Sequence, residues 1–402
     1  MKVLITGVNG YIGSNLRNYL QNNGFEVYGI TSKESNDPKI FQVDITSARQ
    51  VFNILNKIRP DAIVHTAAIS SLSVCEENKQ LAIEINVEAT RNLINSVVHT
   101  NPNMKFIFLS SDYVFDGRRG CYKEDDPVNP TTFYGKTKAI CEEEIKNNLK
   151  NYIICRTAAV FGRGGKFFNF IVNALQQNKV IEVYEDAFFS PTYIDYLLDS
   201  LKELINIDFK GIIHITEGER LSRYDFALLV AEALDKDKSL IKPIRLPENE
   251  LIAKDSSLDS EFSRRILNNF RPTIREALHY SFGNLKPPYY YFVDGRGTFL
   301  GIIQDQEWKE INYIESKKGS VRGNHYHKET VECFFIIDGK IRVTLVDLIT
   351  NSKKVFTVGK GSIFIVKPNT LHTFEVLEDS KWINMLSKPI KSEPKDFYRL
   401  KT

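Results

Sequence analysis

Ser111 closes an apolar run, KFIFLSS, and a little further on Tyr134 and Lys138 stand four residues apart in YGKTK. Four-residue spacing sets two side chains on one face of a helix. A phenol with a pKa of ~10 is a poor acid–base group at neutral pH, and an ammonium beside it stabilises the phenolate. With Ser111 hydrogen-bonded to a carbonyl oxygen, Tyr134 would deliver a proton to that oxygen as hydride reaches the carbon, which is general acid catalysis. Lys138 would also reach a nicotinamide ribose. The hydride donor has a candidate seat in Gly7-Val8-Asn9-Gly10-Tyr11-Ile12-Gly13, directly after the run KVLIT. Glycines at such a loop allow a tight turn, close approach of backbone to a pyrophosphate and close packing of the next helix. That helix points its positive end at the phosphates.

The second apolar run ends Ile30-Thr31-Ser32-Lys33, where a dinucleotide fold usually carries the acid that binds the adenosine ribose. Ser32 and Lys33 favour a 2′-phosphate instead, so NADPH is the expected cofactor, with NADH as the alternative.

A separate group lies near the C-terminus: His325-Tyr-His327, then Glu332, then His372. Alternation along a strand puts His325 and His327 on one face. Glu332 opens the next strand and His372 comes from a separate hairpin. Three imidazoles and a carboxylate suit Zn²⁺ or another divalent first-row metal.

The elements that must position these groups fall into two styles. Up to about residue 160, strand-like runs (KVLIT, EVYGIT, AIVHTAA, KFIFLSS, YIICRT) alternate with helical periodicities such as Ile12, Leu16, Leu20 and Ile85, Ala89, Leu93. That alternation predicts an α/β parallel sheet with helices on both faces. Further helices are expected around 168–177, 193–205 and 222–234. Pro287 and Pro288 in SFGNLKPPYYY break the pattern. Beyond them only short strands with Gly and Asn turns remain, the pattern of a small all-β barrel or double sheet. Two domains follow, 1–284 and 285–402.

Composition narrows the function classes. The chain has 402 residues, with 53 basic and 50 acidic ones for a net charge of +3 and no basic stripe, which argues against a nucleic-acid partner. No apolar stretch approaches the ~18 residues of a membrane span, and MKVLITG has no signal-peptide pattern. Five Cys form no CxxC pair and read as reduced thiols of a cytoplasmic protein.

On these motifs the N-terminal ~280 residues resemble the extended short-chain dehydrogenase/reductase family, in its dTDP-4-dehydrorhamnose reductase branch. TGVNGYIGSNL, SSDYVFDG, YKEDDPVNPTTFYGKTK, RTAAVFG, EDAFFSPTYIDYL and LSRYDFA carry the match. The resemblance implies a Rossmann-type fold, a nucleotide-linked 4-keto-6-deoxy sugar reduced at carbon 4, Asp44-Ile45 and Ala67-Ala68 flanking the cofactor, and Asn86 on a helix supporting the active site. Ser111 stands where that branch usually has Thr. Of the acidic positions many of its members carry, only Glu76 and Glu77 are present.

The C-terminal part resembles the cupin superfamily, an all-β double-stranded β-helix or jelly roll. Gly319, His325, His327, Glu332 and Gly339 fit its first motif; Gly361 and His372 fit its second, where Lys367, Asn369 and Val376 depart from the usual Pro, Gly and Asn. A reductase of this branch followed by such a cupin, with VDGRGTF between and DFYRL near the end, resembles bifunctional capsular-polysaccharide enzymes. That implies 3-epimerisation and 4-reduction of a UDP-linked 2-acetamido-2,6-dideoxy-4-keto sugar, and a homodimer is expected. The alternatives are a rhamnose-type 3,5-epimerase/4-reductase, a non-catalytic nucleotide-sugar-binding subunit, and a cupin that is only a structural metal clip.

Overall fold

KVLIT folds as strand β1, Lys2–Thr6, with four of its five residues buried. In this computed structural model, which describes residues 1–304, 307–391 and 396–400, six more strands join it. They are β2 (Glu26–Thr31), β3 (Ile40–Gln42), β4 (Ala62–His65), β5 (Lys105–Ser111), β6 (Tyr152–Thr157) and β7 (Gly211–His214). The sheet order is β7-β6-β5-β4-β1-β2-β3, every pair parallel. Strands covered on both faces read as unbroken apolar runs, which is why AIVH is buried at every position.

From β1 the chain first runs outward through β2 and β3, then returns to place β4 on the other side of β1. Such a reversal opens a crevice at the carboxyl ends of the central strands. The helix Ala48–Ile58 shows the packing logic: Val51, Ile54, Leu55 and Ile58 are its buried residues, one stripe at helical spacing. They meet Leu4, Ile30, Ile63, Val97 and Phe106 in one core. Each such side chain contributes about 1.5–3 kcal/mol when fully buried.

The chain divides into two compact units, one of Met1–Phe170, Glu182–Phe226 and Lys242–Arg271, the other of Ile171–Ile181, Ala227–Ile241 and Pro272–Thr402. The second unit carries a six-stranded antiparallel sheet. Its two long strands, Glu332–Asp347 and Thr370–Leu386, pair with each other and with the shorter ones. The pairing breaks register around Asp338 and Lys340, where Gly339 has φ 89° and a Cβ would lie 2.3 Å from the Asp379 carbonyl oxygen. Only glycine fits there. Phe334, Ile336, Val343, Phe356, Phe364, Phe374 and Trp382 fill the core, and Leu285 is buried with them. Among the described residues no helix is long and apolar enough to cross a membrane.

Candidate active site and candidate metal centre

β1 delivers the chain into the glycine loop. Gly7 has φ 64°, and a Cβ on it would stand 2.8 Å from the Ala67 Cα. A Cβ on Gly13 would stand 2.3 Å from the Gly7 carbonyl oxygen. Both positions therefore demand glycine. Gly10 caps the helix Tyr11–Asn22 with no side-chain hydrogen bond, which leaves first-turn N–H groups for an anion.

The cleft beside this loop, about 360 Å³, is lined by Gly7, Gly10, Ser32, Lys33, Asp44, Ile45, Ala67 and Ala68. Asn9 and Thr31 also line it, and the Asn9 amide donates to Thr31 Oγ1 at 3.2 Å. Neither was singled out from the sequence, because an Asn inside a glycine loop carries no periodic signal. Tyr11, Ile12 and Gly13 are not in this lining. They form the opening turn of the helix, where the Tyr11 hydroxyl is buried without a hydrogen-bond partner among the described residues.

The helix Phe133–Asn148 carries Tyr134 and Lys138, both buried, and Thr132 caps it by accepting from the Gly135 N–H. Lys138 Nζ donates to the Leu109 carbonyl at 2.8 Å, and lies 6.0 Å from the Tyr134 ring centroid. Burial pulls the Lys138 ammonium down to about 8. Burial, with Asp112 next in effect, pushes the Tyr134 phenol above its ordinary value, while a hydrogen bond with Ser111 works the other way. Desolvation here outweighs what the sequence suggested, a phenolate held by the ammonium. The protonated phenol is the form a general acid needs.

Ser111 ends β5 beside them. Its hydroxyl donates to Asp112 Oδ1 at 2.8 Å and accepts from the Tyr113 N–H at 3.2 Å. Asn86 sits in a π-helical turn, Ile83–Glu88. Its amide accepts from the Ile69 N–H at 2.8 Å and donates to Thr137 Oγ1 at 3.1 Å, tying the loop after β4 to the helix Phe133–Asn148. Glu76 accepts from the Phe133 N–H at 2.6 Å.

In the second unit, His325, His327, Glu332 and His372 offer ligand atoms that all lie within 4.8 Å of one another. Glu332 Oε2 is 3.2 Å from His372 Nε2 and 3.7 Å from His327 Nε2. His325 Nδ1, His327 Nε2, Glu332 Oε2 and His372 Nε2 are buried with no hydrogen-bond partner among the described residues. Four such orphans cost about 1–3 kcal/mol each, and one cation satisfies all four. Burial holds the His372 imidazole down at about 3, the neutral form that binds metal. The residues fit a divalent cation.

Three of the four also have their remaining polar atom tethered. His327 Nδ1 pairs with the Asp396 carbonyl, His372 Nδ1 with the Thr370 carbonyl at 3.2 Å, and the Asn384 amide donates to Glu332 Oε1 at 3.2 Å. Such tethers fix tautomer and ring orientation.

One expectation needs correction. The strand Val321–His325 ends at the first histidine, so His327 does not share its strand face. The two rings nonetheless converge, their centroids 5.1 Å apart, just beyond a register shift between Gly323 and His325 where Asn324 has φ 56°. Asn369, where a cupin usually has Gly, adopts φ 60°, a left-handed conformation that Asn tolerates. Asp396 and Phe397, the start of DFYRL, to which the sequence assigned no role at the cluster, complete the surroundings: Phe397 stacks on His325 at 4.3 Å, and the Asp396 carboxylate accepts from the Lys328, Glu329 and Thr330 N–H groups.

Comparisons with known proteins agree with the first unit's architecture. The spore coat polysaccharide biosynthesis protein SpsK of Bacillus subtilis (strain 168) is 33% identical over 234 residues, 58% of this chain and 78% of that protein. Methionine adenosyltransferase 2 subunit beta of Bos taurus is 28% identical over 261 residues, 60% of this chain and 75% of that one. A crystal structure of dTDP-4-dehydrorhamnose reductase from Bacillus anthracis str. Ames in complex with NADP superposes with a TM-score of 0.64 at 28% identity, covering 71% of this chain and 99% of that one. Residues 292–386 match the family described as polysaccharide biosynthesis C-terminal domain. Residues 1–286 match the one described as RmlD substrate binding domain, so the chain belongs to the RmlD family.

Proposed function

We propose that the chain is a bifunctional 3-epimerase and NADPH-dependent 4-reductase of a UDP-2-acetamido-2,6-dideoxy-4-keto-hexose, making a deoxy-amino sugar nucleotide for polysaccharide or glycan synthesis. Residues 1–284 act as the reductase and 285–402 as a metal-binding cupin, in a cytoplasmic homodimer. The observation that carries the reading is the grouping of Ser111, Tyr134 and Lys138 in a unit that also holds the glycine-loop cleft, in a chain that also holds the four-ligand cluster. The NADP complex of the Bacillus anthracis reductase and the SpsK relative support it.

The loop Gly7–Gly13, Ser32 and Lys33 would hold NADPH, which would supply the hydride. Tyr134 gives its phenolic proton to the carbon-4 oxygen, Ser111 orients that oxygen, and Lys138 keeps a positive charge behind the developing phenolate. His325, His327, Glu332 and His372 would hold a divalent cation, which would supply a Lewis acid for a carbonyl oxygen. The carbon-4 carbonyl acidifies the neighbouring carbon-3 proton, and reprotonation from the opposite face inverts that centre.

Incubation with 4-keto sugar in heavy water tests the whole reading. Deuterium at carbon 3 alone supports it. Deuterium at carbons 3 and 5 identifies the rhamnose-type enzyme, and none at either makes the cupin a silent clip. A second reading is a non-catalytic nucleotide-sugar-binding subunit, and one relative, methionine adenosyltransferase 2 subunit beta, is by its name a subunit; the intact Ser111, Tyr134 and Lys138 weigh against this reading, and NADPH oxidation with a 4-keto sugar excludes it.

A further inference from the structure

A hydroxyl has one proton to donate and two lone pairs to accept with. At Ser111 the proton and one lone pair are committed. The proton goes to Asp112 Oδ1 at 2.8 Å, and the Tyr113 N–H donates to the oxygen at 3.2 Å, which leaves one lone pair open. A substrate carbonyl oxygen is itself an acceptor, so it finds no proton on Ser111 in this arrangement. The reduction proposed above needs one.

Asp112 can release it. Its carboxyl is buried at 3% exposure, and its second oxygen, Oδ2, accepts from Ser256 Oγ at 2.6 Å. A neutral Asp112 keeps that bond and turns Oδ1–H toward Ser111, whose own proton then swings to the substrate. We propose that Asp112 is a positioning residue that sets the direction of the Ser111 hydroxyl: as a carboxylate it takes the Ser111 proton, and as a neutral acid it returns that proton to the substrate oxygen. The inference rests on the reductase reading of Ser111, Tyr134 and Lys138.

The surroundings favour the neutral form. Burial raises the Asp112 carboxyl above its ordinary value, opposed by the hydrogen bonds from Ser256 and Ser111 and by the charge of Arg223. The other titratable groups facing it are Tyr113 and Tyr134, with Lys138 on the same helix as Tyr134. Neither tyrosine carries charge near neutrality, so the carboxyl's own desolvation is the main force.

Asp112→Asn tests this, because an amide copies the neutral acid: Oδ1 accepts from Ser256 and the NH₂ donates to Ser111. With NADPH and a UDP-2-acetamido-2,6-dideoxy-4-keto-hexose as probe, the wild-type kcat/KM should fall about tenfold per pH unit as Asp112 ionises. D112N should lose that limb and keep only the one set by Lys138. Ser256→Ala removes a bond that stabilises the carboxylate, so the limb should move to higher pH. Infrared difference spectra of wild type against D112N, with no sugar present, should show a protonated carboxyl band that D112N lacks. A D112N profile with every wild-type limb, an unmoved limb in S256A, or no such band overturns the inference while leaving the reductase intact. A wild-type chain inert with this probe and with a dTDP-4-keto-6-deoxy sugar instead removes the reading beneath it. NADPH fluorescence quenching by each variant separates these outcomes from misfolding, which D112N and S256A should not show.

Discussion

Glu142 and Arg156 form a bidentate ion pair, Nη2 to Oε2 at 2.7 Å and Nε to Oε1 at 3.0 Å, with each side chain 2% exposed. Ser110, the neighbour of Ser111, donates to Glu142 Oε1 at 2.6 Å. The pair thus clamps the Tyr134 helix to the ends of β5 and β6. Removing one partner leaves a buried charge alone. Glu142→Gln or Arg156→Met should lower unfolding free energy by about 3–5 kcal/mol, read from urea titrations of the full chain. The double variant Glu142→Leu with Arg156→Met should cost much less than the sum of the singles; additivity would show the pair is not a unit.

Tyr134→Phe keeps the buried ring and removes the proton donor. Reduction should drop by about 10²-fold or more, with NADPH binding kept. Near-wild-type turnover would remove Tyr134 from the chemistry.

Ser32 and Lys33 line the glycine-loop cleft, with Asp44 the acid among its lining residues. NADPH should therefore exceed NADH in kcat/KM, and Lys33→Glu should narrow or reverse that ratio. A wild-type advantage for NADH would contradict the reading.

His327→Ala removes one of four atoms that share a partnerless pocket. Elemental analysis should find about one divalent metal per wild-type chain and markedly less in the variant, and solvent deuterium should no longer enter carbon 3. Wild-type protein without bound metal would count against the centre.

Burial holds three imidazoles away from this cluster well below their ordinary value of 6.5, His65 and His214 at about 3 and His279 at about 4. Their unfolded forms bind protons first as pH falls. The stability they contribute is therefore full above about pH 6.5 and is lost on acidification toward pH 3. Glu217, pushed up to about 8 by burial, works in the opposite sense but releases at most one proton. Unfolding near pH 5 should take up protons on balance; calorimetry in buffers of different ionisation enthalpy measures this, and net release would be the wrong sign.

The five strands read from apolar runs all lie in the parallel sheet, because burial on both faces makes such runs continuous. β3 and β7 escaped notice: three or four residues, IFQ and GIIH, give too short a run. The strand Thr370–Leu386 was visible only as far as HTFEVL, since the polar stretch EDSK interrupts the pattern at the place where its partner breaks register. The site residues that were legible are those whose function fixes a local spacing, such as Tyr134 with Lys138 or His325 with His327. Asp112 acts through Ser256, 144 residues away, Asp396 through His327, 69 residues away, and Arg156 through a buried pair with Glu142, and no local pattern records that.

The π-helical turn at Ile83–Glu88 amounts to one residue more than a regular helix would hold. Deleting a residue there would restore ordinary i→i−4 bonding, a gain for the helix taken by itself. It would keep the flanking turns in nearly the same phase but draw in the wide turn that carries Asn86. Asn86 would then lose Ile69 and Thr137 together. The irregular turn is thus an insertion that the fold tolerates and the site requires, and single-residue deletions through this segment should yield chains that fold but bind cofactor poorly.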